Sequence, residues 1–312
     1  MKIRERERGV ALLMVMFIMV LLTTLMVYLV EDDQLSIRRV SNQQESEQAY
    51  HVAVYSEQWV RKVLEDDIRD NQVDYIGEDW NAESPELNEN DLATLDTEVN
   101  DLQARFNVNN LAVGQDEVWY PAFKRLLAVL ELDLGLADAV VDWVDADINV
   151  SGHAGAEDAE YLLKQPPYRA ANRFMSDVGE LAWVHGMTSE ALEKLAPHVA
   201  ALPTTGARIN VNTATPEVLR ILHPDILDEG GAEALITARG EEGFASTNDF
   251  LVLTLLAGHS DAIEPMISVS SEYFEVRSRV EHGRYSTVLY SVIERPHSTG
   301  QANVIQRRRG VS

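Results

Sequence analysis

The sequence predicts an α+β protein: a long N-terminal transmembrane helix, then a sheet body interrupted by a large inserted all-α domain. Three observations carry this. Val10 to Val30 is a run of 21 residues without a charge. Short stretches of strand-like alternation lie on either side of the middle of the chain, at Leu102–Leu111 and between Ile267 and Glu294. Between them, apolar residues recur at spacings of three and four, the period of a helix with one buried face.

The N-terminal element comes first. Residues 1–9 read MKIRERERG and are basic on balance. The apolar run of 21 residues that follows would span roughly 30 Å as a helix, the thickness of a bilayer core. It ends at Glu31, Asp32 and Asp33. The basic side stays cytoplasmic, which places the rest of the chain in the periplasm. The run is too long for an ordinary secretory signal, and VYLVEDDQ offers no small-residue cleavage site. On hydropathy alone a plain signal anchor fits as well.

Residues 31–111 continue the first helix and begin the body. Tyr50, Val52, Ala53, Trp59, Val60, Val63 and Leu64 follow helical spacing to about residue 69, and no Pro or Gly occurs from Val10 to Ile76. One long helix and two helices meeting at a kink both satisfy this pattern. Residues 65–101 hold fourteen acids and one base, Arg69, and read as a helix end followed by a solvated acidic loop. LQARFNVNNL, residues 102–111, reads as a short strand ending in an Asn-rich turn.

Residues 112–265 form the helical domain. Helical patterns cover Pro121–Leu132, Leu136–Val144, Ser176–His185, Ser189–Leu195, Pro216–Leu222, Ala232–Arg239 and Thr247–Leu255. Start signals such as Thr215-Pro216-Glu217 precede them, and glycines such as Gly186 and Gly240 follow them. Residues 266–295 then alternate apolar and polar residues around His282-Gly283, a β-hairpin signature. Residues 296–312 are polar, end in Arg307-Arg308-Arg309 and read as a disordered tail.

Composition narrows the function. The 312 residues carry a formal net charge of -25 and no cysteine. Such a chain is repelled by phosphate backbones, so no nucleic-acid partner is expected. Thiol chemistry is excluded, and no nucleophile elbow, zincin or phosphate-loop motif occurs. The eight histidines are scattered, and no catalytic constellation emerges.

Asp145, Asp147 and Asn149 stand at alternate positions leaving the Leu136–Val144 helix, with Asp142 before them and Glu157 after. Alternation puts oxygen side chains on one side of a loop, as at the start of a calcium-binding loop. The match to an EF-hand is partial: Val150 stands where that loop has Gly, and Glu157 falls one residue late. On spacing alone, an acidic cap and turn without metal fits better.

Two resemblances add to this reading. A short charged leader, Gly9, then an uncleaved apolar helix starting at Val10 resembles the signal of type IV pilins and pseudopilins. In that family a prepilin peptidase cuts after the Gly and methylates the new N-terminus. Most members carry Glu at the fifth mature position, here Met14. The K-type minor pseudopilin of type II secretion is the member that lacks it. VVDWVDADINVSGHAGAEDAEYLLKQPPYRAANRF, residues 140–174, is similar to the K-type pattern at Asp142, Trp143, Asp145, Asp147, Gly152, Ala156, Glu157, Tyr161, Pro166, Pro167, Tyr168, Arg169, Ala171 and Asn172. RINVNTATPEVL, residues 208–219, is a second match.

The resemblance implies a pilin-like body with an inserted helical domain and structural calcium, for which Asp142, Asp145, Asp147, Asn149 and Glu157 are the candidate ligands. It also implies a place in the inner membrane, with the I- and J-type minor pseudopilins, the major pseudopilin and prepilin peptidase as partners. Residues 208–251 resemble a DNA-binding helix-hairpin-helix module as well, which keeps a membrane-anchored DNA-uptake protein as the alternative. The turn HPDILDEGG is acidic and has no Gly-x-Gly, so the module reads as scaffold, with Asn210 and Asn212 bracing turns.

Overall fold

Helix α1 runs unbroken from Lys2 to Asp70 in a computed structural model, which describes residues 2–82, 93–114, 118–283 and 285–310. At 1.5 Å per residue it is about 100 Å long. The helix continues without a break between its two halves. From Val10 to Val30 its large apolar side chains are 53–71% exposed, and none of the described residues of the head packs on them. By length and composition this part is able to cross a membrane. Gly9 and Val10 lie inside the helix.

The second half of α1 changes character. Ala49, Ala53, Ser56, Val60 and Leu64 are buried at steps of three and four, one stripe of the helix. After α2 (Asp79–Ala82) comes β1 (Ala93–Asp101), and the chain returns much later as β6 (Tyr273–His282), beside β1 in the sheet.

Between them lies a block built of short pieces. It holds β2 (Phe106–Asn107), α3 (Trp119–Val129), α4 (Leu136–Val144), α5 (Asp158–Tyr161), α6 (Ser189–Leu195), β3 (Val199–Ala200) and β4 (Ile209–Asn210). Then follow α7 (Pro216–Leu219), α8 (Glu229–Arg239), α9 (Thr247–Leu251), α10 (Ser260–Ile263) and β5 (Ile267–Ser268). One core, including Phe106, Phe123, Val140, Tyr161, Val218 and Phe250, unites them. The block is mostly helical but not all-α: β2 pairs with β3 and β4 with β5, both parallel. Two-residue ladders are too short to leave a period in the sequence.

The sheet is antiparallel in the order β1-β6-β7-β8, with β6 (Tyr273–His282), β7 (Tyr285–Glu294) and β8 (Asn303–Gly310). Phe274, Val276 and Val280 of β6 and Leu289 and Ile293 of β7 turn toward α1. The hairpin expectation holds from Tyr273 onward, while Ile267 and Ser268 belong to the block.

Three expectations are corrected. The strand expected at residues 102–111 shrinks to the two residues of β2, with the Asn-rich turn after it as expected and a 3-10 turn before it, because the Asp101 and Asn107 side chains accept the N–H groups of Gln103 and Asn109 and bend the backbone. The longer strand lies just before, in the segment read as a solvated acidic loop. In β1 only one face turns inward, through Leu95, Thr97 and Val99, and acids on the other face hide the alternation. The remaining loop positions 83–92 are outside the described residues. The tail is not disordered either: β8 pairs with β7 from Asn303 to Gly310.

Candidate functional site

Helix α4 is buried all round, and its two acids, Asp138 and Asp142, stand one turn apart on one stripe, with Asp145 in extended backbone just past its end. The loop 146–157 folds back over that stripe. Asp138 accepts the N–H groups of His153 and Ala154 at 3.1 and 3.2 Å, and the Tyr120 hydroxyl also bonds to it. Asp142 Oδ1 accepts the Ser151 N–H at 2.9 Å. The approach is so close that a Cβ on Gly155 would lie 2.3 Å from Asp142 Oδ2, and one on Gly152 would lie 2.2 Å from Asp138 Oδ2. Gly152 also has φ +57°, a conformation side chains resist.

This folding gathers oxygen atoms. One carboxylate oxygen from each of Asp145, Asp147 and Glu157 lies within 4.8 Å of the others. Asp142, Asp145 and Glu157 are buried and Asp147 is exposed. Among the described residues, Asp142 Oδ2, Asp145 Oδ1, both Glu157 oxygens and Asn172 Oδ1 are buried with no hydrogen-bond partner. All five are acceptors. A polar atom buried without a partner is costly, and the Asn172 amide and the Asp147 and Ala156 N–H groups, the donors nearest Glu157, Asp145 and Asp142, do not reach these atoms in good hydrogen-bond geometry. Burial, then Asp147 and Asp142, pushes the Asp145 carboxyl up to about 6. Burial, then Asp142 and Asp145, pushes Glu157 up to about 7, and burial raises Asp142 too. A hard divalent cation satisfies such a set, since it takes six to eight oxygens and favours the charged carboxylates.

The structure brings together Asp145, Asp147 and Glu157 of the sequence-derived set, with Asp142 near enough to raise the Asp145 and Glu157 carboxyls, but not Asn149. The Asn149 N–H and Nδ2 both donate to Asp147 Oδ1, at 2.7 and 2.8 Å, so this side chain braces the turn. Asn172 joins in its place: its Nδ2 donates to the Asp147 carbonyl at 2.7 Å, which leaves Oδ1 unpaired. Its φ of +44° fits Asn better than most residues. Sequence spacing offered no signal for Asn172, fifteen residues beyond Glu157, and passed over Asp138 one turn before Asp142.

An aromatic group backs the loop. Trp143 meets Tyr161 edge-on at 5.2 Å, Tyr161 leans on Tyr168 at 5.3 Å, and Tyr168 meets Trp183 at 5.4 Å. The Tyr161 hydroxyl accepts the His185 N–H at 3.0 Å and fixes the far end.

In the 208–251 segment, Asn212 closes a turn through Phe244: Oδ1 accepts its N–H at 2.7 Å and Nδ2 donates to its carbonyl at 3.0 Å. The helix α8 is capped by its own Asp228, which accepts the Gly231 N–H at 2.8 Å. This fits the scaffold reading, in which the hairpin end presents carboxylates.

Comparison with known proteins places this architecture. A family model described as type II secretion system (T2SS), protein K, matches residues 104–204, and a second of the same description matches residues 209–270. The type II secretion system protein K of Pseudomonas aeruginosa is 37% identical over 98% of this chain and 94% of that protein. That of Aeromonas hydrophila is 34% identical over 93% and 94%. The crystal structure of the GspK-GspI-GspJ complex from the enterotoxigenic Escherichia coli type 2 secretion system contains a similar chain, with a TM-score of 0.78 and 27% identity. The likeness covers 88% of this chain and all of that one.

Proposed function

Because the chain belongs to the type II secretion system protein K family, we propose that it is a minor pseudopilin that nucleates or caps the pseudopilus tip during export of folded proteins. The observation that carries this reading is α1: one unbroken helix with an exposed apolar first half and a second half packed on an antiparallel sheet. Such a helix anchors in the inner membrane, carries its head on the periplasmic side and leaves a long apolar surface for neighbouring helices. Met14 supports the tip position, since a first subunit has no subunit ahead whose N-terminus needs a carboxylate. The similar solved chain comes from a GspK-GspI-GspJ complex, and we extend that assembly to this chain: its partners are two other minor pseudopilins and, below them, the major pseudopilin. The block between β1 and β6 acts as an inserted domain that covers the tip.

Asp142, Asp145, Asp147, Glu157 and Asn172 would hold calcium. The ion would be structural: it would neutralise the carboxylates that loop 146–157 brings onto α4 and so hold the loop in place. No observation favours the DNA-binding alternative in a chain of net charge -25 with a carboxylate-capped hairpin.

The test is the intact mass and N-terminal sequence of the chain expressed with and without a prepilin peptidase. A peptidase-dependent start at Val10, methylated, is expected. An N-terminus that stays at Met1 with the peptidase present would remove the pseudopilin reading.

A further inference from the structure

One arginine holds the junction between the sheet body and the block. Arg295 follows β7 and is 1% exposed. Its Nη1 donates to Asp67 Oδ2 at 2.7 Å and to the Leu64 carbonyl at 3.1 Å, both at the end of α1. Its Nη2 donates to the Ser271 carbonyl at 3.1 Å and also pairs with Asp74, while the guanidinium lies 4.8 Å from the Phe274 ring. Asp74 Oδ2 accepts the Ser271 N–H at 2.7 Å. Asp101, the last residue of β1, accepts from Ser271 Oγ at 2.6 Å, Thr213 Oγ1 at 2.5 Å and Asn210 Nδ2 at 3.1 Å. One network therefore ties α1, β1 and the end of β7 to residues 210–213 and 271 of the block.

The charges in it do not balance. Asp67 from α1 and Asp74 from the following turn both pair with Arg295, an oxygen of Glu78 lies within 4.8 Å of theirs, and Asp101 from β1 is a further buried carboxylate that Asp74 disfavours. Glu78 is occupied by Asn71 Nδ2, the Tyr75 N–H and Trp80 Nε1, and on the block side Glu242 faces Tyr75. We propose that this cluster is a pH-sensitive latch: it closes the junction while Asp67, crowded beside Arg295, and Asp101 hold protons, and loosens as they ionise. The proposal is independent of the secretion reading. Burial, reinforced by Glu78 and Asp74, pushes Asp67 up to about 7, and burial pushes Asp101 up to about 6. Groups raised in the closed form stabilise it fully below their ordinary values, and that contribution is lost as pH rises through about 6 to 7.

Hydrogen exchange of the full chain in detergent, read by mass spectrometry and corrected for intrinsic exchange, tests this. Protection of peptides covering 208–214 and 268–274 should fall as pH rises from about 4 to about 7, by roughly tenfold per pH unit for each carboxyl that is protonated in the closed form and ionised in the open one, and level off above that. Peptides from β7 should hold their protection. In Asp67→Asn, which keeps an oxygen for Arg295 but cannot ionise, the fall should shrink. A flat wild-type profile, an equal fall in the β7 peptides, or an unchanged slope in Asp67→Asn would each overturn the latch. Should the variant not fold, the wild-type profile alone still decides.

Discussion

Arg307 of β8 grips Glu57 of α1 with two nitrogens, Nε to Oε2 at 2.6 Å and Nη2 to Oε1 at 2.7 Å. Glu57 is fully buried, and its other donor is Ser291 Oγ at 2.6 Å. Arg309 lies 4.3 Å over the Tyr50 ring on the same side. The C-terminal strand thus acts as a strap that presses α1 on the sheet. Arg307→Ala should destabilise the body by about 1–3 kcal/mol, below the full cost of breaking a buried pair because Arg307 is itself half exposed. Glu57→Gln should cost less, since no charge is then stranded. Arg307→Lys should recover little, because an ammonium lacks the fork. Thermal melts of the full chain in detergent give the order. A melt of Arg307→Ala equal to wild type would show that the strap bears no load.

Calcium should raise the melting temperature of the full chain, and a chelator should reverse it. At a hundredfold excess over Kd the gain would be about 2.7 kcal/mol. Protons compete for the same oxygens, so the gain should grow from about pH 5 to about pH 8. Without metal the sign reverses: Asp145 and Glu157 have raised values, so their contribution is present below the ordinary carboxylate range and lost as pH rises through about 6 and 7. In chelator at pH about 8, Asp145→Asn and Glu157→Gln should therefore be no less stable than wild type, yet respond weakly to calcium. Variants that are unstable in chelator would instead mark these carboxylates as ordinary structural acceptors.

Gly155 makes the same point through space rather than charge. A Cβ there would lie 2.3 Å from Asp142 Oδ2 and 2.2 Å from the Ser151 carbonyl, so the loop must lift off α4. Gly155→Ala should abolish most of the calcium response while leaving every ligand in place. Gly206→Ala meets no atom within 4 Å and serves as the control for a glycine with φ above zero, at +72°. Equal calcium responses in the two variants would contradict the packed-loop geometry.

Long periods were legible in the sequence and short ones were not. Val10–Val30, the helical stripe through Ala53, Val60 and Leu64 and the hairpin around Gly283 repeat often enough to be read from residue order alone. β1 was missed because Asp96 and Glu98 lie on its open face, and β8 because Arg307, Arg308 and Arg309 look solvated until Glu57, Tyr290 and Tyr50 come close in space. The acidic site was half legible. Asp145, Asp147 and Glu157 share one loop, whereas Asn172 reaches it only because the chain turns back after Pro166 and Pro167.

Asn109 offers the sharpest test of the block, because it is fully buried and uses both ends of its amide. Nδ2 donates to the carbonyls of Met175 at 2.9 Å and Leu202 at 2.7 Å, and Oδ1 accepts the Met175 N–H at 2.8 Å. The side chain thus joins the turn after β2 to two segments 66 and 93 residues away. Asn109→Ala strands three backbone groups out of water, at a cost of about 3 kcal/mol or more. Asn109→Leu should be no better, since shape was never what the site required. Asn109→Asp should be worst near neutral pH, because a carboxylate has no proton for the two carbonyls. Its carboxyl, raised by burial, should regain part of the loss as pH falls and one donor returns. The exposed Asn149→Ala, measured in chelator, should change stability by less than about 0.5 kcal/mol. If Asn109→Ala and Asn149→Ala melt alike, the amide is dispensable and the block is held by its apolar core alone.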